Sequence, residues 1–136
     1  LNFFRVGSVF YLVDLPGYGY ARVSADEKQK LGQAAEVYLT TRQELALCVA
    51  LLDVRHEPSP DDRELLAFLG ETQRPFVVVA TKADKLGRGE LNRKVAALGK
   101  LGGQAVIATS AETGAGIGEL WTRIREAATA SRGATR

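Results

Sequence analysis

Three short polar clusters in this 136-residue chain carry side chains able to do chemistry. They are Asp14-Leu15-Pro16-Gly17, Thr81-Lys82-Ala83-Asp84 and Thr109-Ser110-Ala111, the last running on into Glu112-Thr113. Each has an ordinary structural use: Asp14 can open an Asx-turn, Asp84 can cap a loop, and Ser110 can sit in a turn. Together and in this order they also suit a purine nucleotide. One carboxylate, Asp84, can accept both the N1–H and the exocyclic amino group of guanine, a donor pair that adenine lacks. Lys82 has an aliphatic stem long enough to cover a base face. A backbone N–H in the Ser110-Ala111 turn can meet guanine O6, where adenine presents a donor instead. Asp14 suits the other end of such a ligand, reaching Mg²⁺ through water because magnesium dehydrates reluctantly. Gly17, with no side chain, lets its N–H approach a terminal phosphate and lets the segment change conformation when that phosphate leaves.

Each cluster follows an apolar run that reads as a strand. The chain opens with strand patterns over 1–6 and 9–14, joined by Gly7-Ser8, which predicts an antiparallel hairpin. Continuous apolar or β-branched runs over 46–53, 76–81 and 105–109 predict strands covered on both faces. Between them lie amphipathic stretches. Ser24-Ala25-Asp26-Glu27 has the form of a capping box and starts a helix over 24–41. Ser59-Pro60-Asp61-Asp62 supplies an N-cap, a proline at the first helical position and acidic residues in the first turn, while Leu65, Phe68 and Leu69 give that helix its inner face. Leu91, Val95 and Leu98 mark a third helix, and Ile117, Leu120, Trp121, Ile124 and Ala128 a fourth, with 131–136 a frayed tail. The alternation predicts an α/β fold: a doubly wound, mostly parallel sheet with helices on both faces. In such folds ligands bind beyond the carboxyl ends of the strands, where the three clusters fall.

Composition narrows the class further. With 46% hydrophobic and 25% charged residues, the chain matches one soluble globular domain, occupying 1–130. A net charge of +2 is a mild basic excess, compatible with a ribonucleoprotein partner but equally with none. The basic residues Arg22, Lys28, Lys30, Arg123 and Arg125 could touch RNA or simply form solvated helix faces. Cys48 is the only cysteine and lies in an apolar run, so an intrachain disulfide is excluded and a reducing cytoplasm fits. Apolar runs over 45–52 and 75–80 are too short to span a bilayer. His56, the sole histidine, has no companion for a metal site and no nucleophile to serve, which favours loop ordering or partner contact.

At the level of motifs the chain resembles the P-loop GTPases, and among them the bacterial EngB/YsxC/YihA group. The residues that carry the likeness are LNFF at 1–4, LVDLPGYGYA at 12–21, YLTTR at 38–42, DVRHEPSPDD at 53–62, VVATKAD at 78–84 and SAETGAGI at 110–117. Position by position, Asp14, Leu15, Pro16 and Gly17 match the third nucleotide-binding motif. Thr81, Lys82, Ala83 and Asp84 match the fourth, and Thr109, Ser110 and Ala111 the fifth. The resemblance implies GTP and GDP as ligands with Mg²⁺. It also implies GTP hydrolysis, a monomeric cytoplasmic protein off the membrane, and a role with the rRNA and proteins of the large ribosomal subunit and in cell division and septation. Tyr18 stands where many GTPases place a water-orienting glutamine, so intrinsic hydrolysis is expected to be slow. Tyr20 either faces a partner or packs on the following helix.

Other parts of the family pattern are missing. No Gly-x-x-x-x-Gly-Lys-[Ser/Thr] occurs: beside the one Gly-Lys pair, Gly99-Lys100, Lys94 replaces the first glycine and Leu101 the hydroxyl residue. The magnesium-binding switch segment expected before 1–4 is also missing. With no methionine and a start in mid-pattern, the chain is expected to be the C-terminal part of a longer protein, without the first strand, the P-loop and the first helix. Such a part alone should bind GTP weakly or not at all and, with two strands deprived of their common neighbour, be unstable or tend to aggregate. Two other classes stay open: a nucleotide-incompetent scaffold or ribosome-interaction module, and another doubly wound ligand-binding domain.

Overall fold

The computed structural model describes residues 2–15 and 25–134. They fall into two compact units, Leu1–Leu45 and Ala46–Arg136. In the first, β1 (Asn2–Val6) and β2 (Phe10–Asp14) form the expected antiparallel hairpin, with Asn2 opposite Asp14 and Val6 opposite Phe10. Gly7 takes the turn at φ 55°, and its carbonyl accepts a 2.9 Å bond from Arg5 Nε. Helix α1 spans Ala25–Thr41, in line with its periodicity; the capping residue assigned to it, Ser24, lies outside the described residues. Near its end the Thr40 and Thr41 hydroxyls donate back to the Glu36 and Val37 carbonyls.

The second unit is a parallel three-stranded sheet in the order β3 (Cys48–Asp53), β4 (Phe76–Thr81), β5 (Val106–Ala108). Strand β4 is central, and Val78, Val79 and Ala80 are fully buried, as a run apolar on both faces requires. Each such valine adds about 2 kcal/mol of burial to the core. On one face Val77, Val79 and Ile107 pack with Leu47, Val49 and Leu120. Helix α3 (Arg88–Gly102) packs on β4 and β5 and against α2 (Pro60–Thr72). Strand β3 is the edge of this sheet, and its Leu51 stays 62% exposed. Burial pushes the Cys48 thiol up to about 11, the behaviour of a small hydrophobe rather than a reactive thiol.

Helix boundaries follow the local signals. The Ser59 hydroxyl accepts from the Asp62 N–H at 3.1 Å while the Asp62 carboxylate accepts from the Ser59 N–H at 2.9 Å, a reciprocal capping box with Pro60 opening the helix. Ser59→Ala is expected to cost about 1 kcal/mol, read as a lower urea midpoint at unchanged m-value. Gly103 ends α3 in the left-handed region at φ 71°. Helix α4 spans Ile117–Ala134, reaching into the stretch the sequence suggests is frayed. Arg132 and Ala134 are strong helix formers on either side of Gly133, so that glycine alone does not end the helix.

Candidate functional site

The carboxyl ends of β3, β4 and β5 lie side by side. Asp53 pairs with Thr81 and Ala80 with Ala108, and the ladder continues past the strands. The Val54 N–H donates to the Thr81 carbonyl at 3.0 Å, and the Thr109 N–H to that of Ala80 at 2.8 Å. The Thr81 hydroxyl reaches the Leu52 carbonyl at 3.2 Å, tying β4 to β3 where its loop departs.

After Thr81 the chain turns sharply. Lys82 is left-handed at φ 60°, and Ala83–Lys85 form one turn of 3₁₀ helix, a feature too short for periodicity to reveal. The Ala83 N–H donates to the Thr109 carbonyl at 3.0 Å and sets the two loops side by side. Asp84 thereby meets Ser110, whose hydroxyl donates to Asp84 Oδ1 at 2.8 Å. Ser110 is 1% exposed, and its Oγ also accepts the Thr113 N–H at 3.1 Å. The Ser110 N–H and carbonyl are both used, by Ala115 and Gly114 at 2.9 Å each. The neighbouring Ala111 N–H has no acceptor among the described residues and is a donor this turn leaves available.

Electrostatics hold the Asp84 carboxylate ionised. Its hydrogen bond from Ser110 lowers its pKa below the usual carboxylate value, and Lys85 adds to the effect. Lys85 Nζ lies 3.4 Å from Asp84 Oδ2 and 3.2 Å from Glu112 Oε2, and this pairing, first with Glu112, raises the lysine pKa. Beside them Lys82 Nζ is 3.4 Å from Asp53 Oδ2. Asp53 also accepts from Arg55 Nη2 at 2.7 Å and from the Arg55 backbone N–H at 3.0 Å, bonds that hold it far below the carboxylate range. His56 is 72% exposed at 3.9 Å from the same carboxylate, the edge of a charged loop rather than a buried catalytic position.

The structure thus brings seven of the sequence-derived residues onto two adjacent loops: Thr81, Lys82, Ala83, Asp84, Thr109, Ser110 and Ala111. Asp14 is the exposed last residue of β2 in the other unit, with Leu15 half-buried after it. Pro16, Gly17, Tyr18, Tyr20 and Arg22 lie outside the described residues. Among the described residues, no three acidic, histidine or cysteine side chains converge to hold a metal. No helix among them is long and apolar enough to cross a membrane.

Three contributors escape the motif reading. Asp53 ends its strand as Asp14 does, which is a signal for it; Glu112 stands in the third polar cluster, but nothing local pairs it with Lys85. Gly116, at φ 73°, is the third: a Cβ there would lie 1.9 Å from the Ala108 carbonyl oxygen, so only glycine lets this loop lie against β5.

A parallel sheet whose adjoining strand ends present a Thr-Lys-Ala-Asp turn bonded to a Ser-Ala turn defines a nucleotide-binding α/β domain of the GTPase class. The family model described as "50S ribosome-binding GTPase" matches residues 2–82. The probable GTP-binding protein EngB of Geobacillus kaustophilus (strain HTA426) is 45% identical over 128 residues, covering 91% of this chain and 66% of its own length. That of Streptococcus pneumoniae (strain ATCC 700669 / Spain 23F-1) is 44% identical over 130 residues, covering 93% and 67%. A crystal structure of a probable GTP-binding protein engB superposes with a TM-score of 0.82 at 19% identity over 94% of this chain and 82% of that one. The apo translation elongation factor SelB of Methanococcus maripaludis has the same fold at a TM-score of 0.69, with 22% identity over 93% of this chain and 27% of that one. The chain belongs to the EngB family of GTPases. It spans about two thirds of the length of the curated relatives it matches.

Proposed function

We propose that this chain is the base-recognition part of a GTPase that binds GTP and GDP and hydrolyses GTP, working on the large ribosomal subunit. The observation that carries the guanine reading is the Asp84 carboxylate, fixed by the buried Ser110 hydroxyl at 2.8 Å beside the unpaired Ala111 N–H. Asp84 would accept the N1–H and amino group, the Ala111 N–H would donate to O6, and the Lys82 stem would cover the ring. Adenine would leave the carboxylate facing no donor pair and the N–H facing an amino group. Mg²⁺, when bound, would offset charge on the phosphates, and Asp14 suits a contact to its water shell. The P-loop backbone and lysine would come from a preceding third of the protein, a reading supported by the relatives' greater length and by the lack of that motif within 1–136. Large-subunit assembly and a part in cell division rest on the family resemblance, and the first is in keeping with the printed description of the family model.

The lack of the P-loop motif also favours a second reading, an interaction module that kept the fold and lost the nucleotide. Equilibrium binding of GDP, GTP and ATP to the full chain, Leu1–Arg136 preceded by its P-loop-bearing third, separates the two. The GTPase reading expects GDP to be preferred over adenine nucleotides by a factor of at least about a thousand, as a site built around paired hydrogen bonds allows. Equal or undetectable binding would leave only the interaction module.

A further inference from the structure

Lys85 belongs to none of the matched nucleotide motifs, yet it is placed where base selection would be decided. Its ammonium joins two loops, 3.4 Å from Asp84 Oδ2 at one and 3.2 Å from Glu112 Oε2 at the other. The opposite oxygen, Asp84 Oδ1, is held by Ser110 Oγ at 2.8 Å. Oδ1 is thus held by a hydrogen bond from Ser110, while Oδ2 faces the Lys85 ammonium in an ion pair.

This arrangement matters because an aspartate carboxylate rotates over a broad range about its last torsion, so a single anchor leaves its plane free. An ionised carboxylate has about four acceptor sites, two on each oxygen. With Ser110 bonded to Oδ1 and Lys85 lying against Oδ2, both oxygens keep acceptor capacity for a ligand. The two share the carboxylate plane, which makes them complementary to a planar edge bearing two adjacent N–H donors. An exposed ion pair such as Lys85–Glu112, with side chains 44% and 71% exposed, adds little to stability. Its consequence lies in orientation: Glu112 draws the ammonium toward the second loop, so that Lys85 steadies Oδ2 without closing over it.

We propose that Lys85, anchored by Glu112, is a positioning residue for guanine selection, fixing the plane of the Asp84 carboxylate so that both oxygens face the base. This rests on the reading of Asp84 as the base-selecting carboxylate. Without Lys85, Oδ1 keeps its anchor while Oδ2 swings, and a two-bond contact becomes a one-bond contact. Inosine diphosphate reports that difference directly, because it keeps the N1–H of guanine and lacks the 2-amino group.

The test is competition of GDP, inosine diphosphate and ADP for the full chain, with Lys85→Met, Lys85→Arg and Glu112→Ala as variants. Lys85→Met should reduce the preference for GDP over inosine diphosphate about tenfold, the worth of one charge-assisted hydrogen bond. Glu112→Ala should shift it in the same direction, and Lys85→Arg, which can still bridge both carboxylates, should keep it. A lysine that only neutralises charge or props the loops would weaken GDP and inosine diphosphate equally. An unchanged ratio in both Lys85→Met and Glu112→Ala would overturn the inference. Should Lys85→Met fail to fold, Glu112→Ala carries the same decision. If the unaltered full chain does not prefer GDP over ADP, the base-site reading falls and this inference with it. If that preference holds while the inosine ratio does not move, the inference alone falls.

Discussion

Asp84→Asn in the full chain will weaken GDP binding about a thousandfold, two charge-assisted hydrogen bonds of about 2 kcal/mol each, while binding of xanthosine diphosphate rises. The amide keeps one oxygen, able to accept the Ser110 hydroxyl that now lies 2.8 Å from Asp84 Oδ1, so the two loops stay joined. What changes is the other side of the group. An NH₂ then faces the guanine donors, an unpaired arrangement in a partly enclosed site, where the Asp84 side chain is only 15% exposed. Xanthine has a carbonyl where guanine has its amino group, and that carbonyl can accept from the new amide. Titration calorimetry with GDP, xanthosine diphosphate and ADP reads all three changes. GDP affinity within threefold of the unaltered protein would mean that Asp84 does not touch the base.

Gly116→Ala is expected to destabilise the second unit by about 3 kcal/mol, seen as a fall in the urea midpoint. A left-handed backbone costs a residue with a Cβ roughly 1–2 kcal/mol. The collision adds to this, because the new Cβ would lie 1.9 Å from the Ala108 carbonyl oxygen and 3.0 Å from its carbon. Neither is the end of a flexible side chain, so the loop over 110–117 must lift from β5. Ser110 would be drawn from Asp84, and guanine preference should fall with stability. Gly70→Ala is the matched control: it lies inside α2 with open space around it, and should leave stability unchanged or slightly raised. Equal midpoints for Gly116→Ala and Gly70→Ala would contradict the crowding at β5.

Much of this architecture is legible in the amino-acid order, for identifiable reasons. The run FVVVAT over 76–81 is rich in β-branched residues and ends in a polar one, so strand β4 and its loop are visible together. Ser59 and Pro60 give the start of α2 because capping chemistry is local. The strand ends are less sharp: β3 begins at Cys48 and β5 spans only Val106–Ala108, because pairing with β4 decides where a ladder stops. The expected mostly parallel sheet is described as a parallel three-stranded sheet and a separate two-stranded hairpin. Asp84 and Ser110 are singled out as candidates by their motifs, yet the hydroxyl-to-carboxylate bond joining them spans 26 residues and leaves no local trace. The pairing of Lys85 with Glu112, 27 residues apart, is hidden too: Glu112 stands in the third cluster, but a single surface charge such as Lys85 has no period and no cap to announce it. The partnership of Asp53 with Lys82 is invisible for the same reason: it depends on β3 and β4 ending level, a property of register.

That level ending has a consequence for fidelity. Because β4 is laced to a neighbour on each side and its middle is sealed from water, the loops after β4 and β5 share one stiff foundation and are expected to move together rather than apart. The spacing between a carboxylate on one and a hydroxyl on the other is then protected from loosening elsewhere in the chain. If these loops read the base as proposed, the choice of ligand rests on the most deeply buried strand of the sheet.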